Sequence, residues 1–181
     1  MPPVEPGRAQ GPSRRDPKLL WIAAAALLLA RVATGVYEEK HPPIKADLVV
    51  WVSAAAAPAA AATAGKPVLY DFSAEWCGPC QRMQREVFAD PKAASIVSTF
   101  VVPVHLVDRR REDGHNSAIV DSLVRAHDVN AFPTIVIVGV DGKAIDRLEG
   151  YPGAEKFTSW VATTSAKYRM IPNSGGPITH P

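Results

Sequence analysis

An α/β domain with a mixed central sheet and helices on both faces is the fold class this sequence predicts. Three observations carry it. From residue 68 to residue 168, short apolar strands alternate with amphipathic helical stretches. The alternation closes on a hairpin signal, Asp141-Gly142, and a last amphipathic helix follows the return strand. Strand–helix–strand units pair in parallel through crossovers, and a hairpin adds an antiparallel edge. With 181 residues the chain is long enough for one such domain plus tails.

The elements follow in order. "VLYDF" (68–72) is a short apolar strand. Residues 77–88 have helical spacing, with Met83, Val87 and Phe88 apolar among polar neighbours. Asp90-Pro91 reads as an N-cap followed by proline at the first helical position, opening "KAASIVSTF". "FVVPVHLVD" (100–108) is a second strand. Residues 116–128 place Ile119, Val120, Leu123 and Val124 on one helical face. "TIVIVGV" (134–140) is a buried strand, and "KAIDRLEGY" (143–151) returns beside it. The final helix, 154–168, turns Phe157, Trp160 and Val161 inward. Ahead of the first strand, Ser53 is a candidate cap for an alanine helix that Pro58 either kinks or opens. Gly65 and Pro67 end it.

The flanks differ in character. Residues 1–18 are rich in Pro, Gly and Arg and read as a disordered tail, and 169–181 as a flexible one. Residues 19–37 are apolar except for Arg31, about the length that crosses a bilayer. Arg14, Arg15 and Lys18 precede them, which keeps the N-terminus cytoplasmic. The segment reads as an uncleaved anchor with Arg31 snorkelling or as a signal segment cleaved near Ala33-Thr34-Gly35, with a buried soluble helix as the third alternative. Both leading readings export the rest of the chain. Residues 38–47 form a polar linker. A domain over 48–168 remains.

The net charge of +2 is too small and too evenly spread to argue for nucleic acid. Arg109-Arg110-Arg111 is followed at once by Glu112 and Asp113, and reads as a solvated loop.

Both cysteines lie in "EWCGPC", with Gly78 and Pro79 between them. Zinc would need four ligands, and one Cys-x-x-Cys supplies two. No second pair exists, and the five histidines are scattered. No metal and no cofactor is expected. An inert disulfide would close a tiny loop and stabilise little. A redox role fits the placement better. Cys77 falls after a strand and at the start of a helix, where unpaired N–H groups stabilise a thiolate. Cys80 lies one turn further in. Cys77 is therefore the expected nucleophile, and Cys80 the thiol that resolves a mixed disulfide.

"DFSAEWCGPC", "FPT" at 132–134, the "DGK" hairpin and Gly150 together resemble the thioredoxin family. The resemblance covers residues 48–168. "GKPVLYDFSAEWCGPCQRMQREVFADP" resembles in particular the C-terminal thioredoxin-like domains of bacterial membrane thiol:disulfide interchange proteins. It implies a thioredoxin fold and a redox-active disulfide between Cys77 and Cys80. It implies that Asp71 is a buried acid that accepts the proton of Cys80. Trp76, Gly78, Pro79, Phe132 and Pro133 would meet substrate, with a cis bond before Pro133. The implied activity is reduction of protein disulfides on the periplasmic side of the inner membrane, by a monomer that draws on a thiol electron donor. An oxidant or isomerase, or a non-catalytic binding module, is the alternative. Two departures stand out. The family's lysine near the buried acid is absent at or near Val104, and 109–118 is longer than the usual connection.

Overall fold

The computed structural model describes residues 17–40 and 46–170. The chain divides between Pro43 and Ile44 into two units. In the second, strand β1 (Val68–Ala74) is buried at every position. Strands with both faces covered and both edges paired read as continuous apolar runs. β1 pairs in parallel with β2 (Val102–Asp108) and antiparallel with β3 (Thr134–Val138). β3 pairs antiparallel with β4 (Ala144–Glu149), so the sheet order is β2-β1-β3-β4. This is the mixed sheet that the alternation and the Asp141-Gly142 hairpin predict.

Alternation along the strands sorts side chains onto two faces. Leu69, Ile135 and Ile137 face one side. There they meet α3 (Gly78–Met83) with the π-helical turn Gln84–Phe88, α4 (Pro91–Phe100) and α7 (Ala154–Met170). Val68, Tyr70, Phe72, Val104 and Val136 face the other side, against α2 (Ala57–Ala64) and α6 (Ala118–Ala126). Helices therefore cover both faces. Asp71 shares the phase of Leu69 and points toward α3, the side where the cysteines lie.

Local chemistry sets the helix ends. Asp90 caps α4, its Oδ1 accepting from Lys92 N at 3.1 Å and Ala93 N at 2.9 Å. Ala56 rather than Ser53 is the N-cap of α2, Pro58 lies in its first turn, and Gly65 closes it in the left-handed region at φ 61°. Such a φ favours glycine.

Several expectations need correction. The helix expected over 77–88 is α-helical only to Met83; a π turn follows, with Ala89 N donating to Gln84 O at 2.9 Å. The wider turn brings Val87 and Phe88 into the core together with Met83. The run Arg110–Asp113 is solvent-exposed as expected but forms a short helix, α5, and not a loop. Ile119 is exposed, although Val120, Leu123 and Val124 pack against the core as expected.

Asp47, assigned to the linker, is folded onto the domain by bonds from Trp51 and Gln84. α7 continues to Met170, past the boundary drawn at 168. In the first unit, α1 spans Pro17–Lys40, longer than the 19–37 expected, so residues 38–40 are helix and not linker. Its apolar side chains, among them Leu20, Ile22, Leu27, Leu28 and Val32, are exposed. Among the described residues no helix is long and apolar enough to cross a membrane. The disordered tail expected over 1–16, the linker residues 41–45 and the tail over 171–181 lie outside the described residues.

Candidate active site

Cys77 and Cys80 are joined in a disulfide, with their Cα atoms 5.2 Å apart. Cys77 is the N-cap of α3, and its Sγ accepts from Cys80 N at 3.2 Å. Pro79 fits the first turn, where a missing N–H costs nothing. A Cβ at Gly78 would meet nothing within 4 Å, so space alone does not demand glycine there. In the disulfide form the two cysteines do not differ in exposure. Cys77 is 4% exposed and Cys80 5%. What separates the two sulfurs is hydrogen bonding: only Cys77 Sγ sits at the helix start with an N–H aimed at it.

Phe132 packs against the cluster of Ala74, Cys77 and Cys80. The Phe132–Pro133 bond is cis. Pro133 has no N–H, and its carbonyl accepts from Gly150 N at 2.8 Å. Among the described residues, the backbone N–H and carbonyl of Phe132 have no hydrogen-bond partner. The main chain left open beside the disulfide is thus that of Phe132. Trp76, 47% exposed, stands edge-on to the Phe132 ring with centroids 6.0 Å apart.

Asp71 is 1% exposed, and neither carboxyl oxygen has a hydrogen-bond partner. Burial, with a smaller push from the Asp47 carboxylate, raises its pKa to about 8. The register of β1 and β2 sets His105 opposite Asp71, with Nε2 4.0 Å from Oδ2. Burial lowers the His105 pKa, and Asp47 partly opposes that. Both shifts favour neutral forms, so near pH 7 the two meet chiefly as uncharged groups and not as an ion pair. A cleft of about 520 Å³ runs beside His105, lined also by Asp47, Cys80 and Gln84 among others. It connects the inner cysteine with the imidazole.

α5 is fastened to the same region. Arg109 bridges Glu75 and Asp113, with Nη1 2.5 Å from Glu75 Oε1 and Nε 2.6 Å from Asp113 Oδ2. Arg110 pairs with Asp121 at 2.7 Å. Asn116 donates to Asp108 and Asp121 and accepts from Arg109 N. The Arg111 guanidinium lies 4.5 Å from the centroid of the Trp76 ring.

All eight residues singled out from the sequence therefore lie on β1, at the start of α3 or just before β3. Phe132 meets Cys77 and Cys80 on one side and Trp76 on the other, and Asp71 lies beneath on the face toward α3. Sequence reasoning missed His105 and Asp47. His105 could have been found, since "VPVHLVD" puts Val104 and Leu106 on one face and His105 on the other, where Asp71 also points. The register thus sets His105 opposite Asp71, while Val104 pairs with Tyr70. Asp47 carries no local signal.

Such a disulfide at a helix start, against a cis-proline loop on a four-stranded mixed sheet, defines a thiol–disulfide exchange fold. The model of the thioredoxin-like domain family matches residues 54–165, and the chain belongs to that family. A protein disulfide-isomerase of Medicago sativa is 35% identical over 98 residues, 54% of this chain and 18% of that protein. The thiol:disulfide interchange protein DsbD of Haemophilus ducreyi is 28% identical over 99 residues, 54% of this chain and 16% of that protein. The chain thus answers to less than a fifth of the length of these curated relatives. Among solved structures, a DsbH oxidoreductase superposes with a TM-score of 0.58 at 21% identity, covering 69% of this chain and 89% of that one. That likeness shows the fold.

Proposed function

We propose that the chain is an exported thiol:disulfide oxidoreductase that reduces protein disulfides through Cys77 and Cys80. The observation that carries this reading is the Cys77–Cys80 disulfide at the start of α3, with Phe132 of the cis-proline loop packed against it. In the reduced protein the Cys77 thiolate attacks one sulfur of a substrate disulfide. The substrate S–S bond breaks, a mixed disulfide forms, and the leaving thiolate takes up a proton. The Cys80 thiol gives its proton to Asp71 in those molecules whose carboxyl is ionised, a fraction that grows as pH rises toward 8. Its thiolate then attacks Cys77 Sγ and frees the second substrate thiol. Two electrons have passed to the substrate, and a thiol donor must return them to Cys77 and Cys80. Substrate main chain lies along Phe132, while Trp76, Gly78, Pro79 and Pro133 shape the surface around the sulfurs.

The reducing direction rests on the Gly-Pro pair between the cysteines, which belongs with the family's reducing members. The basic residues Arg14, Arg15 and Lys18 ahead of the apolar stretch 19–37 support an export signal or tether that delivers the domain to the periplasmic side. The reduced protein should accelerate reduction of insulin disulfides, and a Cys80→Ser variant should carry proteins linked to Cys77 that a reductant releases. Failure of both would overturn the enzymatic reading. A reporter joined after Pro181 should be active only outside the cytoplasm; activity confined to the cytoplasm would refute export.

A further inference from the structure

Arg109, Arg110 and Arg111 are consecutive but differently engaged. The first two are taken up by Glu75, Asp113 and Asp121. Arg111 has no carboxylate within ion-pair distance among the described residues, and lies instead over the ring of Trp76. The Arg109–Glu75 bridge fixes α5 to the residue immediately before that tryptophan. A guanidinium stacked on an aromatic ring keeps its in-plane N–H donors available, and their fork matches a carboxylate. Trp76 adjoins Cys77, so this unclaimed cation stands at the rim of the surface where a substrate disulfide must arrive.

We propose that α5 is a recognition arm, in which Arg111 selects protein substrates that carry an acidic side chain next to their disulfide. This rests on the exchange reaction proposed above. The carboxylate pairs with the Arg111 guanidinium while the neighbouring sulfur reaches Cys77 Sγ. The exchange step itself is unchanged: Cys77 and Cys80 thiols supply two electrons and end as the disulfide, and the substrate S–S bond ends as two thiols. Nucleic acid is disfavoured as the occupant, because Glu75, Asp113 and Asp121 neutralise the other two arginines of the run.

The test uses pre-reduced full chain in single turnover with three disulfide peptides of equal length. They carry aspartate, serine or lysine beside the cysteine. Reaction with the serine peptide establishes exchange itself; if that peptide is not reduced, the proposed function fails and the recognition arm with it. Given exchange, the wild type should reduce the aspartate peptide roughly three- to ten-fold faster than the lysine peptide at low salt, and the ratio should narrow as salt rises. Arg111→Glu should invert the ratio, and Arg111→Gln should bring it close to one. An aspartate-to-lysine ratio equal in the wild type and both variants, with the serine peptide still reduced, would overturn the proposal. Because α5 is exposed, circular dichroism should show both variants folded. If Arg111→Glu does not fold, the ratio from Arg111→Gln decides.

Discussion

Asp71 and His105 face each other across the parallel pair β1–β2, with Oδ2 and Nε2 4.0 Å apart and neither atom hydrogen-bonded. A lysine there would hold the acid ionised by its charge; a buried imidazole does not. The carboxyl therefore keeps its proton in most molecules near neutrality.

Asp71→Asn should stabilise the protein at alkaline pH. The folded pKa is raised to about 8 from an ordinary 3.8, so the folded state holds the proton more tightly than the unfolded chain. Stability from this group is complete below pH 4, declines as pH rises, and is lost above 8. His105 acts oppositely: its lowered pKa contributes stability above its ordinary value of 6.5, lost on acidification. At roughly 1.4 kcal/mol per unit, the Asp71 shift sets an upper bound of about 6 kcal/mol. Urea unfolding at pH 9 should show a gain of several kcal/mol for the variant, shrinking toward zero at pH 4. Disulfide exchange near pH 7 should slow. Equal stability at both pH values would mean that Asp71 ionises normally.

Asp47→Asn should lower the pKa of both Asp71 and His105. The Asp47 carboxylate raises each, by repelling one anion and by attracting the other group's cation. Titration of the Asp71 carboxyl carbon and the His105 ring by NMR would read both shifts. An unmoved Asp71 would leave burial as the whole cause.

Cys77 should alkylate well before Cys80 in the reduced protein near pH 7. The backbone N–H of Cys80 points at Cys77 Sγ, and the helix start favours its thiolate. Mass mapping of the first labelled site decides; faster labelling of Cys80 would exchange the two roles. Cys77→Ser should capture no partner protein.

Asp90→Ala should cost about 1 kcal/mol. Its carboxylate answers two otherwise unpaired N–H groups of α4, a helix that packs onto α7 and the core. Thermal unfolding against the wild type measures it.

The sheet, its helices and the cysteine site were legible because each depends on local signals. Alternation marks the strands, Asp90 and Gly65 mark helix ends, and Cys-Gly-Pro-Cys falls where a strand gives way to a helix. The remainder depends on distant pairings. His105 becomes significant only once β2 is registered against β1. Asp47 takes its place through Trp51 and Gln84, the second 37 positions away in sequence. Arg109 and Arg111 carried no sign of their partners because Glu75 and Trp76, which they meet, lie 34 and 35 positions earlier in sequence. The π turn left no mark on the apolar spacing of 77–88, since Met83, Val87 and Phe88 also suit an α-helix.

That turn acts as a spacer of one residue. A chain shortened by a single position between Gln84 and Phe88 could close into uninterrupted α-helix, and everything beyond would rotate by about 100° relative to the cysteines. Phe88 would leave the core, and the Asp90 cap would start α4 in a different direction. Tyr151 would no longer reach Glu86, its hydrogen-bond partner at 2.8 Å. The redox end of the helix and the packed end are thus set to each other by residue count, so substitutions in this stretch should be tolerated far better than deletions.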